Sequence, residues 1–184
     1  AASDPENPNA SSEEIYTHLV EDVGPRMMET MELLLDWMDG HEDVSVWGIE
    51  TYNEPDTFDR GIGTATDSAQ ATVDFVSLYV EQVTAAAALI AERFDGRILV
   101  GGWNYSARFN IFAETEIATD LSALEAIRAA IGDQLVWSSH LYPGWQGTAN
   151  ITDTDSADAR LSAIYSSILG DDILVTETNA PGSL

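Results

Sequence analysis

Four short apolar runs, separated by longer stretches of helical periodicity, constrain this chain more than any other feature. They are Val44-Ser45-Val46-Trp47-Gly48-Ile49, Ile98 to Trp103, Leu135 to His140 and Ile173 to Thr176. Each is bounded by polar turns and has the length of a strand buried on both faces. Between the first and second, Val76, Val80, Val83, Ala87 and Ile90 repeat at alternating spacings of four and three, which predicts a helix from about Asp67 to Phe94. A second helix is expected from Asp120 to Ile131, stopped by Gly132. A third carries Leu161, Ile164, Tyr165, Ile168 and Leu169 and is stopped by Gly170. Ahead of all of them, residues 1–10 read as a loop. Ser11 and Glu14 then form a capping box that opens a helix, Gly24-Pro25 breaks or kinks it, and Met27, Met31, Leu34, Leu35 and Met38 form a core-facing stripe before Gly40.

Strands alternating with helices in this way must lie parallel and be joined by crossovers. Two α/β architectures satisfy that requirement, a doubly wound sheet and a (β/α)8 TIM barrel. No Gly-x-Gly-x-x-Gly follows any strand, and the residues with chemistry to offer sit at strand ends, where a barrel gathers its active site. Both features favour the barrel. A whole barrel takes about 250 residues, so residues 1–184 are expected to form one partial TIM-barrel domain of about half the strands, with the remainder of its own barrel as a partner.

Composition narrows the partners. The 184 residues hold 32 acidic and 7 basic side chains, every basic one an Arg, for a formal charge of −25. Nucleic acid and anionic membranes both require a basic patch, and the Arg residues are not clustered, so neither is expected as a partner. Such acidity suits a high-salt medium or makes an ordinary acidic surface. With no Cys there is no disulfide, thiolate metal site or Cys nucleophile. The three His residues, His18, His41 and His140, form no zinc-ligand pair, and Asp153, Asp155 and Asp158 lack the Gly and closing Glu of a calcium loop, so no metal or other cofactor is expected. The sequence has no uninterrupted apolar stretch approaching the roughly 20 residues of a membrane span, and its first residues lack the basic and apolar regions of a signal peptide. Asn9, Asn104 and Asn150 open Asn-x-Ser/Thr sequons.

The chemistry concentrates on two acids. Asn53-Glu54-Pro55 closes the first strand and Glu177 the fourth. In a barrel both carboxylates project into one mouth, and two carboxylates across a cleft are what glycoside hydrolysis uses. Glu50 is a rival to Glu54, because period two puts it on the same strand face, but Glu54 lies at the strand end.

Trp47-Gly48-Ile49-Glu50-Thr51-Tyr52-Asn53-Glu54-Pro55, Ser139-His140-Leu141-Tyr142-Pro143 and Leu174-Val175-Thr176-Glu177-Thr178-Asn179, taken in order, resemble the fourth, sixth and seventh strands of clan A glycoside hydrolases. These are retaining (β/α)8 enzymes that include the family five cellulases and mannanases. The resemblance covers about residues 11 to 182 and implies that the chain runs from the third helix of a barrel to its seventh strand. It implies Glu54 as general acid/base, Glu177 as nucleophile and Asn53 as donor to the sugar 2-hydroxyl. His140 and Tyr142 would line the cleft, with Tyr142 bonded to the Glu177 carboxylate. The chain departs from the family pattern after Glu177, where Thr178-Asn179-Ala180-Pro181 precedes Gly182.

Trp103, Asn104, Trp145 and Asn179 complete the candidate sugar-binding set. Aromatic faces at strand ends can stack on sugar rings, and Asn can bond to hydroxyls. Trp137, in mid-strand, reads as core, and so do Trp37 and Trp47. The expected function is retaining hydrolysis of a β-linked polysaccharide or oligosaccharide, which suggests a secreted protein because polymeric substrates stay outside cells. Two alternatives remain: a sugar-binding or truncated barrel remnant without chemistry, and a doubly wound α/β binding domain.

Overall fold

The computed structural model describes residues 9–141 and 153–178. Helix α1 (Ser12–His18) starts at the expected capping box, with Ser11 and Glu14 bonded reciprocally. It runs through a π-helical turn (Leu19–Val23) into α2 (Gly24–Asp39), so Gly24-Pro25 widens the helix and does not break it. Pro25 lacks an N–H, and the π turn absorbs the bond it cannot make. The elements that follow are β1 (Gly48–Glu50), α3 (Asp56–Gly63), α4 (Ser68–Ala91), β2 (Arg97–Gly101) and a tight turn, α5 (Trp103–Ser106). Next come α6 (Asn110–Glu114), β3 (Glu116–Ala118), β4 (Leu121–Ser122), α7 (Ala123–Ile131), β5 (Leu135–Leu141), α8 (Thr154–Ile164) and β6 (Ile173–Thr178).

The four main strands form one parallel sheet in the order β1-β2-β5-β6, curled into a half-barrel and flanked by helices. Register fixes its two faces. Ile49, Ile98 and Leu135 stand side by side toward the helices, as do Val100, Trp137 and Ile173; on the concave face the rows are Glu50, Leu99, Val136 and then Gly101, Ser138, Leu174. Between β5 and β6 the register slips: Ser139 pairs with Val175, but His140 pairs with Glu177, so Thr176 is the extra residue of a bulge.

The convex face is covered mainly by α4 and α7. Asp67 caps α4 by accepting from the amides of Ala69 and Gln70, and the helix buries Phe75, Val76, Tyr79, Val83, Ala86, Ala87 and Ile90. By length and composition alone α4 is apolar enough to cross a membrane; here 56% of its most apolar window lies inside the protein, as for a core helix. Above it Tyr52, Phe58, Tyr79, Trp103, Phe112, Trp137 and Phe109 form a continuous aromatic layer with ring centroids 5.5 to 6.1 Å apart.

Several local expectations are corrected. The first strand covers only the last two residues of the apolar run and extends one further to Glu50, because it pairs on one side only and β2 offers partners from Arg97 onward; Trp47, 58% exposed, lies outside the core, and so does Trp37, which stacks on His41. The segment between the second apolar run and Asp120 holds α6 and β3, and β3 pairs antiparallel with β4, which occupies the start of the helix expected from Asp120. Helix α7 begins at Ala123, where Ser122 and Glu125 form a second capping box. Helix α8 begins earlier than the apolar stripe, capped by Asp153, and ends at Ile164, so Ile168 packs into the core from beyond its end.

Candidate functional site

Glu54, His140 and Glu177 come together at the C-terminal ends of the strands. His140 is fully buried on β5, and its Nδ1 lies 2.8 Å from Glu54 Oε1. Its Nε2 lies 3.7 Å from Glu177 Oε1. One ligating atom from each of the three lies within 4.8 Å of the other two. Both carboxylates are partly open to solvent, at 31% and 42%, while the imidazole between them is not. An ionised carboxylate only accepts hydrogen bonds, so an ionised Glu54 requires the proton on Nδ1 of His140. Among the described residues this is the group with donors suited to a cation. With Glu54 ionised, the short contact engages His140 as a hydrogen-bond donor on that side and not as a ligand.

The bulge explains how Glu177 reaches this place. In unbroken register it would pair with Leu141 and share that residue's face. The extra residue, Thr176, lets the Thr176 hydroxyl meet Ser138 at 2.7 Å while Glu177 turns to the side of His140. Beneath them Glu50 is half-buried on the concave face, and its Oε1 makes no hydrogen bond among the described residues. Burial raises its pKa above the usual carboxylate value; the Ser138 hydroxyl and the His140 imidazole oppose the rise, and the Glu177 charge adds to it. Glu50 is thus a layer below the pair.

Asn53 is tied to the protein through its main chain and keeps an exposed side chain, whereas the Asn104 side chain is engaged within the protein. The Asn53 carbonyl accepts a hydrogen bond from the fully buried Ser106 hydroxyl. The Asn104 amide donates to Asp59 Oδ2 at 3.1 Å. Trp103 is corrected as a sugar platform: its ring is wholly buried in the aromatic layer, and its Nε1 donates to Asp59 Oδ1 at 2.8 Å. Trp137 is buried, as its mid-strand position predicts. Asp153 serves as a helix cap, accepting from the Ser156 amide at 2.8 Å. The expectations for Tyr142, Trp145 and Asn179 lie outside the described residues.

Sequence reasoning passed over the turn after β2. Asn104 (φ 61°, ψ −127°) and Ser106 (φ 51°) both occupy left-handed backbone that costs a non-glycine residue about 1–3 kcal/mol. The available signal was the doublet Gly101-Gly102. A Cβ on Gly101 would come within 2.7 Å of Ser106 Oγ and 2.9 Å of the Tyr52 carbonyl, so only glycine lets the turn close on the segment before Glu54.

A 710 Å³ cavity opens beside Glu54, between the π-helical turn and residues 51–58. His18, Asp22 and Arg26 line its helix side, with Asp22 Oδ1 2.7 Å from Arg26 Nε.

No family model, curated protein or solved structure matches this chain. The class that fold and site define is therefore a helix-flanked parallel half-barrel carrying a Glu-His-Glu cluster at its strand ends.

Proposed function

We propose that the protein is a retaining glycoside hydrolase acting on a β-linked polysaccharide or oligosaccharide. The observation that carries this reading is the approach of the Glu54 and Glu177 carboxylates, whose nearest ligating oxygens lie within 4.8 Å. An approach this close favours the roughly 5–5.5 Å between carboxyl groups of a retaining pair over the roughly 6.5–9.5 Å of an inverting one.

Glu177 attacks the anomeric carbon as the glycosidic C–O bond breaks, and Glu54 gives its proton to the departing oxygen. A covalent glycosyl ester on Glu177 results. Glu54, now a carboxylate, takes a proton from water; the water oxygen attacks the anomeric carbon, and the ester bond to Glu177 breaks. His140 orients Glu54 throughout. The chemistry needs no cofactor. The free edges of β1 and β6 take the remaining strands of the barrel, and a polymeric substrate fits a secreted protein.

The test is hydrolysis of β-1,4-glucan, mannan and xylan by the full-length protein, followed by the anomeric configuration of the first-formed product in NMR spectra. Retained configuration is expected, with Glu54→Ala and Glu177→Ala each losing about 10²–10⁴-fold in turnover. Two fully active variants would sink the assignment, and binding of glycan without cleavage by the wild type would leave a sugar-binding protein.

A further inference from the structure

Glu54 lies on a segment tied at two points to the same turn. On its N-terminal side the carbonyl of Asn53 accepts from the Ser106 hydroxyl. On its C-terminal side Asp59, in the first turn of α3, accepts from Trp103 Nε1 and Asn104 Nδ2. Trp103, Asn104 and Ser106 are all within α5, the strained turn that follows the Gly101-Gly102 doublet.

We infer that Ser106 is a positioning residue for Glu54, with Asp59 holding the same turn from the other side; the inference rests on the glycosidase reading. The carbonyl that Ser106 binds belongs to the peptide unit whose nitrogen is that of Glu54. Peptide planarity makes this unit one rigid plate. Fixing its oxygen fixes the N–Cα bond of Glu54 on which the side chain is carried, and the Asp59 bonds on the far side restrain rotation about it. Ser106 has no solvent exposure and therefore no competing water at its hydroxyl. Its left-handed backbone aims the hydroxyl back at Asn53, and the Asp59 bonds hold that backbone in place. Strain of this kind persists only where surrounding contacts over-determine it. Here the contacts converge on the arm that carries the acid.

The role has a signature separate from folding. Protonation by Glu54 matters most when the departing oxygen is a poor leaving group, as in an oligosaccharide. It matters little for 2,4-dinitrophenol, which departs as a stable anion. An arm free to pivot therefore slows the first substrate class selectively.

The test variant is Ser106→Gly, which removes the hydroxyl and tolerates positive φ, so the fold does not depend on it. Asp59→Asn is the second variant, acting on the turn from α3. Both are made in the full-length protein and assayed on β-1,4-linked oligosaccharides and on a 2,4-dinitrophenyl β-glycoside of the same sugar. Expected for Ser106→Gly is at least a tenfold loss of kcat/KM on the oligosaccharide against less than a twofold loss on the dinitrophenyl glycoside, with an unchanged or higher Tm. Asp59→Asn should shift the same ratio in the same direction. Equal losses on both substrates, or no loss on either, overturn the positioning role while leaving the glycosidase reading intact. A wild type that cleaves neither substrate removes both.

Discussion

The imidazole of His140 stands between two carboxylates, 2.8 Å from Glu54 through Nδ1 and 3.7 Å from Glu177 through Nε2. Its burial means that it holds this position without competition from solvent, while the two acids it faces remain open to a substrate.

Replacing it separates orientation from binding. His140→Ala should lower kcat on polysaccharide by about 10- to 100-fold, the cost of a displacement of around 1 Å in a reacting group, with a much smaller change in KM. Steady-state kinetics provide the check, and an unchanged kcat would show that Glu54 is positioned without the imidazole.

Glu50 should make stability depend on pH. Burial holds its proton more tightly in the folded protein than in the unfolded chain, where the ordinary value is 4.5. The folded state therefore binds more protons in the window above that value. Stability is full below it and declines as pH rises through the raised folded pKa. Glu50→Gln, which never ionises, should melt progressively higher than the wild type as the pH is taken from 4.5 to 8 in thermal scans. A constant gap between the two melting curves would rule out Glu50 as the source.

Asp171 ties helix to sheet. It accepts from Arg128 Nε and Nη2 at 2.9 and 2.6 Å and from the buried Trp137 Nε1 at 2.8 Å. Asp171→Ala leaves an indole N–H without its acceptor inside the core, which should cost about 2–3 kcal/mol in urea unfolding. Trp137→Phe in the same background should recover part of the loss. A loss below half a kcal/mol would mean that water replaces the carboxylate.

The open edge of the sheet should govern association. Strand β6 pairs with β5 alone among the described strands, and Leu174 and Val175 are 39% and 44% exposed. An apolar parallel edge of this kind recruits another strand. The chain of 184 residues by itself is expected to self-associate in light scattering, and Leu174→Lys with Val175→Lys to reduce that. A monodisperse monomer without the substitutions would show that the edge is protected some other way.

Periodicity made the strands readable in advance, because β2 and β5, buried on both faces, are continuous apolar runs; β6 has the same pattern but stands with Leu174 and Val175 exposed at the sheet edge. Strand ends marked Glu54, His140 and Glu177 for the same reason. Trp103 was misread because the rings that bury it, Phe58, Tyr79 and Phe112, and the Asp59 carboxylate that accepts its N–H lie in other elements and leave no local pattern. The pair β3–β4 has strands of three and two residues, too short for alternation to register. Trp37 and Trp47 look like core from their neighbours, yet the face they would pack against is not supplied by the described residues. The clamp around Glu54 was invisible except through two glycines, since backbone strain at Asn104 and Ser106 is set by closure of the turn and not by residue type.

The bulge at Thr176 turns the site into a question of parity. Along a strand, odd and even positions face opposite ways, so a single residue more or less decides which side of the sheet a later side chain serves. Were Thr176 to pair with His140 in unbroken register, the strand would still join β5 while Glu177 fell opposite Leu141 and turned toward the helices. The same parallel sheet thus keeps or loses its second acid according to whether one residue is taken up in a bulge or in the ladder, with every strand still in its place.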